Sequence, residues 1–355
     1  MKKNEVYLMH WLDGMKLSSR HFEHINSFVE GNTAKTISVH ANDYNYGLLS
    51  EIQEMLSVSI NQANVASVKI NALEAVLPSG YLLRISPEMN IGSECAIPSF
   101  TDIKESSLYL TIEINSERKI PFGPFNADEN PPRQAYSRPD IQFRFVEKSF
   151  LNNISGTDLL PIAKVNFKGG KFELDNDYIL PCNRVNSHRS LKLIYTQMFE
   201  TITSVYNHSL KILNAGYNVD IKNISIYDQV LSLMRYVIEC YSENYDSIKL
   251  FGLHRAPIET FSFILKLMRG IYYHLDTIKT SAKNDFYNYF KSRLNNKGFD
   301  LNSLSELFAA NYDHNDSCIY LNNLLARLQN LDHTLIEISQ VKDAGLSKSV
   351  NQKII

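Results

Sequence analysis

The stretch Tyr178-Ile179-Leu180-Pro181-Cys182-Asn183 decides how this chain is divided, because the hydrophobic period changes across it. Before it, apolar and polar residues alternate, as in Ser57-Val58-Ser59-Ile60 and Val68-Lys69-Ile70-Asn71-Ala72. A period of two belongs to a strand with one buried face. After it, Leu191, Ile194, Met198, Ile202, Val205 and Ile212 recur at the spacing of a helical stripe. The chain therefore reads as α+β, with an antiparallel β-sandwich over residues 1–183, a helical bundle over 184–341 and a flexible tail at 342–355.

Working outward on the β side, Leu77-Pro78-Ser79-Gly80 is a turn leading into Tyr81-Leu82-Leu83-Arg84-Ile85. Further strands are expected at 108–115, 141–147, 160–167 and 171–174, with Gly169-Gly170 closing a hairpin. One early helix, 19–42, carries Phe22, Ile25 and Val29. The prolines at 121, 124, 131, 132 and 139 interrupt ladders and helices alike, so 121–139 is expected to be a long loop. Such a loop is either a contact arm for a neighbouring subunit or a surface excursion.

On the helical side the first helix ends at Asn214-Ala215-Gly216. A second runs over 225–245 through Val230, Leu233, Val237 and Tyr241. A third opens on Pro257 and reaches 278, a fourth covers 283–295, and a last one spans 317–341 with Leu321, Leu324, Leu328, Leu331 and Leu335. Leu191, Ile194, Met198, Ile202 and Val205 are candidates for packing, either inside one bundle or also around a symmetry axis. Periodicity does not separate the two.

Composition narrows the class. A length of 355 residues suggests two domains or three, and 44% apolar with 21% charged residues excludes general disorder. Lys+Arg of 36 against Asp+Glu of 38 argues against a nucleic-acid partner. No apolar run is long enough for a secretory signal or a membrane span, so a cytoplasmic protein without direct membrane insertion is expected. Cys95, Cys182, Cys240 and Cys318 lack metal-ligand spacing and fit a reduced compartment. Twenty Tyr and eighteen Phe against one Trp is unusual, and such aromatics favour strands and protein contacts.

Catalytic patterns are absent from the sequence. His21-x-x-His24, with Glu23 between and His10 upstream, shares a helical face but lacks the H-E-x-x-H zinc pattern. There is no G-x-S-x-G elbow, no Walker glycine loop and no G-x-G-x-x-G. His254 and His274 read as structural, and a charge on His188 or Arg189 at a helix start opposes the dipole. No enzyme, metal or cofactor is expected. A hydrolase built on His21 and His24 is the competing catalytic reading.

The opening residues carry a more specific signal. Trp11-Leu12-Asp13-Gly14-Met15-Lys16-Leu17, then His21-Phe22-Glu23, resembles the N-terminal signature of the TssK family, baseplate subunits of the type VI secretion system. Ser19-Arg20 replaces the family's Pro-Gln. Tyr46-Gly47-Leu48-Leu49, Leu77-Pro78-Ser79-Gly80, Leu160-Pro161-Ile162-Ala163-Lys164-Val165, Tyr178-Ile179-Leu180-Pro181-Cys182 and His254-Arg255-Ala256-Pro257 look like further landmarks in the same order.

The resemblance implies a trimer with a β-sandwich shell, similar to the shoulder of phage receptor-binding proteins, and a bundle along the three-fold axis. It implies a non-catalytic adaptor of a contractile injection machine at the inner face of the cell envelope, binding the TssF and TssG wedge. Trp11, Asp13, Gly14, His21 and Phe22 would belong to the wedge-facing segment, although Trp11 and Phe22 are equally readable as core aromatics. The family's third, mostly β head is not expected, because the residues after about 296 read as helix. That leaves the membrane-complex partner unidentified and puts TssL and TssM contacts in doubt. A phage-tail-like receptor-binding protein for a cell-surface ligand is the alternative.

Overall fold

A computed structural model describes residues 7–40, 42–51, 56–98, 105–152, 157–215, 224–277 and 301–340. The expected helix at 283–295 and the tail at 342–355 lie outside them. The chain divides into two compact units. The first comprises Met1–His188 together with His314–Asp316, and the second Arg189–Asp313 with Ser317–Ile355. The class is α+β: antiparallel sheets come first and helices follow.

In the first unit, helix α1 (Ser19–His40) is followed by β1 (Gly47–Leu48), β2 (Leu56–Ile60), β3 (Val65–Ile70), β4 (Leu73–Val76), β5 (Leu82–Ile85) and β6 (Ile91–Ala96). Next come β7 (Ser107–Asn126), β8 (Arg133–Glu147), the short helix α2 (Lys148–Leu151), β9 (Leu159–Lys168) and β10 (Lys171–Leu174). They form three sheets, ordered β1-β4-β5, β2-β3-β6 and β10-β9-β7-β8. β3 shows the alternation read from the sequence, with Ala66, Val68 and Ile70 buried and Ser67 and Lys69 exposed. β9 behaves differently, since residues 159–165 are all buried and the strand lies between two others. Its Pro161 faces Thr111 where the β7–β9 register shifts, and a bulge is the place in a central strand where a missing N–H is tolerated.

Gly47 joins two parts of this unit. Leu48 N–H donates to the Pro181 carbonyl at 2.9 Å, and Asn183 N–H donates to the Leu48 carbonyl at 2.9 Å. Gly47 has φ +105°, and a Cβ there would run into the Pro181 carbonyl. Only glycine accepts both that angle and that approach.

The expected loop at 121–139 is instead a β-hairpin arm. β7 and β8 stay paired out to Asn126 and Arg133, while β9 covers β7 only as far as Glu113. The outer part of the arm is thus a two-stranded ribbon, in which both strands are edges. Pro121 pairs with Ser137, Pro139 with Lys119, and Pro124 falls in the register shift between Phe122 and Phe125. Proline is compatible with edge strands and bulges, which is why the ladder survives these three, while Pro131 and Pro132 fall in the turn between the strands.

The second unit contains α3 (Arg189–Ala215), α4 (Ile224–Phe251), α5 (Pro257–Asp276), α6 (Leu301–Ala309) and α7 (Cys318–Gln340). α3 begins at Arg189, later than the change of period at Asn183, because a short 3-10 turn at Val185–Ser187 intervenes. Leu191, Ile194, Met198, Ile202 and Val205 are buried within one chain, as are Leu321, Leu324 and Leu328 on α7. α3 packs on α4 and α7, so this stripe is occupied by intrachain neighbours.

Candidate partner-binding surface

The N-terminal segment and α1 expose several large apolar side chains. Tyr7, Leu8, Trp11, Leu12, Leu17 and Phe22 are all exposed, Trp11 at 45% and Phe22 at 52%. Both aromatics, readable from sequence as core, therefore stand at the surface. α1 buries none of its 22 residues completely. A helix in water relies mainly on tertiary packing of its apolar face, so one left this open lacks part of its expected support. A groove of about 350 Å³ follows one face, lined by Phe28, Val29, Asn32, Thr33, Thr36 and Ile37.

Local chemistry fixes the segment onto the helix. Met15 N–H bonds to the Leu12 carbonyl at 3.2 Å, closing a turn that holds exposed Asp13 and Gly14, the latter at φ +79°. Ser18 precedes the helix, and its backbone N–H donates to His21 Nδ1 at 3.2 Å. His21 thus does the work that Glu or Gln does in a capping box. The Trp11 ring meets the His21 ring edge-on at 6.0 Å. His24 Nε2 lies 2.6 Å from the Tyr7 carbonyl. The two imidazoles are engaged in holding the chain's entry to α1, and no set of three His, Cys, Asp or Glu that could hold a metal occurs among the described residues.

Elsewhere α1 leans on the turn at 77–81. Tyr81 has its phenol pushed up to about 12, first by burial and then by the carboxylates of Glu30 and Asp158. Glu30 also pairs with Lys119 at the base of the arm at 3.0 Å. Both partners are partly exposed, so the pair fixes position more than it adds stability, about 0–1 kcal/mol. Farther out, Phe125 and Tyr136 are exposed, and Phe122 packs on Tyr136 at 5.7 Å.

Of the candidate residues taken from the sequence, Trp11, Asp13, Gly14 and Phe22 are exposed and His21 is half-buried. The sequence reading missed α1's own outward face, and it offered 121–139 as a contact arm or a surface excursion but as a loop, not as paired strands. The Tyr and Phe surplus was a signal, but it did not locate them. On the second unit, a separate groove of about 430 Å³ runs along α3, lined by Phe199, Glu200, Thr203, Ser204, Asn207, His208 and Lys211. This face is distinct from the buried stripe.

These features define an α+β chain of antiparallel sheets and helices with an open N-terminal helix. Its fold is that of TssK. This chain is similar to a crystal structure of TssK, with a TM-score of 0.53 at 15% identity over 92% of this chain and 69% of that one. It is similar to a chain of the TssK-TssF-TssG baseplate subcomplex of the type VI secretion system (TM-score 0.51, 12% identity, 93% of this chain and all, 100%, of that one). TssK from EAEC, solved with a nanobody, gives a TM-score of 0.52 at 12% identity over 89% of this chain and 100% of that one. No protein-family model and no curated protein matches the sequence.

Proposed function

We propose that this chain is a structural, non-catalytic baseplate subunit of a type VI secretion machine. The observation that carries the reading is the fold shared with TssK over about nine-tenths of the chain, including a chain of the TssK-TssF-TssG subcomplex. The exposed segment bearing Trp11, Asp13, Gly14, His21 and Phe22 is the face offered to TssF and TssG. The exposure of its aromatics supports this, since Trp and Phe in the open are characteristic anchors of protein contacts.

The chain acts as a homotrimer and links the baseplate wedge to a membrane-complex protein, from the cytoplasmic side of the envelope. No helix among the described residues is long and apolar enough to cross a membrane. The stripe from Leu191 to Val205 is covered inside one chain, so copies would meet through the outward face of α3 around Phe199 and Thr203.

Co-expression with TssF and TssG from the same source tests the reading. The native chain is expected to co-purify with them, and the Trp11→Ala, Phe22→Ala double variant to lose the complex while keeping its circular dichroism. Failure of the native chain to associate with both wedge proteins present would sink the proposal. Light scattering tests the oligomer separately: a stable monomer at micromolar concentration rules out the trimer.

A further inference from the structure

His314, Asn315 and Asp316 follow most of the second unit in sequence, yet they pack in the first. Asp316 Oδ2 lies 2.7 Å from Lys164 Nζ on β9 and accepts a hydrogen bond from the Tyr109 hydroxyl on β7 at 2.7 Å. Asn315 accepts from the Tyr46 hydroxyl through Oδ1 and from the Tyr178 hydroxyl through its backbone carbonyl, both at 2.7 Å. His314 meets the Tyr46 ring edge-on at 4.7 Å, and its Nε2 lies 2.9 Å from the Tyr46 carbonyl. All three residues are buried, and Lys164 is 8% exposed.

A buried ammonium persists only where a counter-charge meets it. Lys164 sits in the stretch of β9 that is buried throughout, between β10 and β7. Within Met1–His188 its acidic contact is Asp175, at 3.7 Å and more exposed than Asp316. The close counter-charge comes from residue 316. The contiguous N-terminal part therefore supplies only the more distant and more exposed of the two counter-charges that Lys164 meets. The neighbours Asp313 and Ser317 belong to the second unit, and α7 starts at Cys318.

We propose that His314–Asp316 is a latch: the sheet unit is completed only when these residues are seated in it, and the two units open together when they leave. A latch of this kind keeps a partly synthesised chain from presenting a finished N-terminal unit. It also ties the start of α7 to the state of β7 and β9.

Hydrogen exchange measured on the full chain tests this. In Asp316→Leu, which leaves Lys164 buried without its close partner, amides of β7, β9 and the first turns of α7 are expected to exchange at least about 100-fold faster, all together. Adding Lys164→Met removes the stranded charge and is expected to restore most of the protection. Should Asp316→Leu not accumulate as folded protein, Asn315→Ala is read in the same way, with an acceleration of about tenfold. Unchanged exchange in β9 overturns the proposal. So does faster exchange in β9 while α7 keeps its native rates, or a double variant no better protected than Asp316→Leu alone.

Discussion

Two residues carry constraints that a contact survey alone would undervalue. Gly47 is wedged under the Pro181 carbonyl at a backbone angle that other residues resist. Gly47→Ala is expected to cost about 2–4 kcal/mol, through strain at positive φ plus the steric conflict. A urea midpoint giving less than about 0.5 kcal/mol would show that residues 181–183 can retreat without penalty. His188, at the end of the first unit's main segment, has its pKa held below the ordinary imidazole value by burial, with Glu51 opposing that shift. In this window the unfolded chain binds the proton more readily, so stability rises with pH. Unfolding curves should therefore show stability falling as pH drops below about 6.5, the value of a free imidazole. His188→Asn should flatten that slope. Were the slope in the variant identical to the native one, another group would be responsible.

At the scale of elements, α1 and the arm share a property: each exposes more apolar surface than its own packing explains. A two-stranded ribbon is marginal alone, and here Phe125 and Tyr136 sit exposed upon it. Changing both to Ser should lower the unfolding free energy by no more than about 1.5 kcal/mol, the worth of the Phe122–Tyr136 ring contact, because neither fills a core. Association with the wedge proteins or with further copies should weaken, as co-purification would detect. A larger drop in that free energy with assembly intact would make the arm a structural element only. The arm is also where sequence reasoning failed, since it took each proline as a break in the ladder. Pro121 and Pro139 lie in paired strands with open outer edges, and Pro161 sits at a bulge in a buried strand, so position decided what residue type did not. The helices were far more legible. Leu191, Ile194, Met198 and Ile202 repeat at helical spacing because one continuous face is buried against α4 and α7. The N-terminal segment was legible as a motif, yet its exposure was not, because aromatic residues carry the same letters in a core and at a contact. Nor did any local pattern tie Asp316 to Lys164, although a lysine inside a buried strand signals that a counter-charge is somewhere.

For the whole molecule, charge and exposed surface together bear on what kind of force drives assembly. The formal net charge is only −2, so long-range steering of a partner is weak. Several charges near the proposed contact region already have internal partners: Lys119 with Glu30, Arg118 with Asp140, and Arg133 with Glu129. Beside the exposed charges Asp13, Lys16, Arg20 and Glu23, the N-terminal segment and the arm offer outward the large apolar groups Trp11, Leu12, Phe22, Phe125 and Tyr136. Burial of such groups is insensitive to screening, and it carries a negative heat-capacity change. Titration of the chain into the TssF and TssG wedge should therefore give an affinity that changes by less than about threefold between 0.1 and 0.5 M salt. The same titration at several temperatures should give an enthalpy that becomes more negative on warming. A hundredfold loss of affinity over that salt range would instead place the contact on charged residues, away from the apolar N-terminal face.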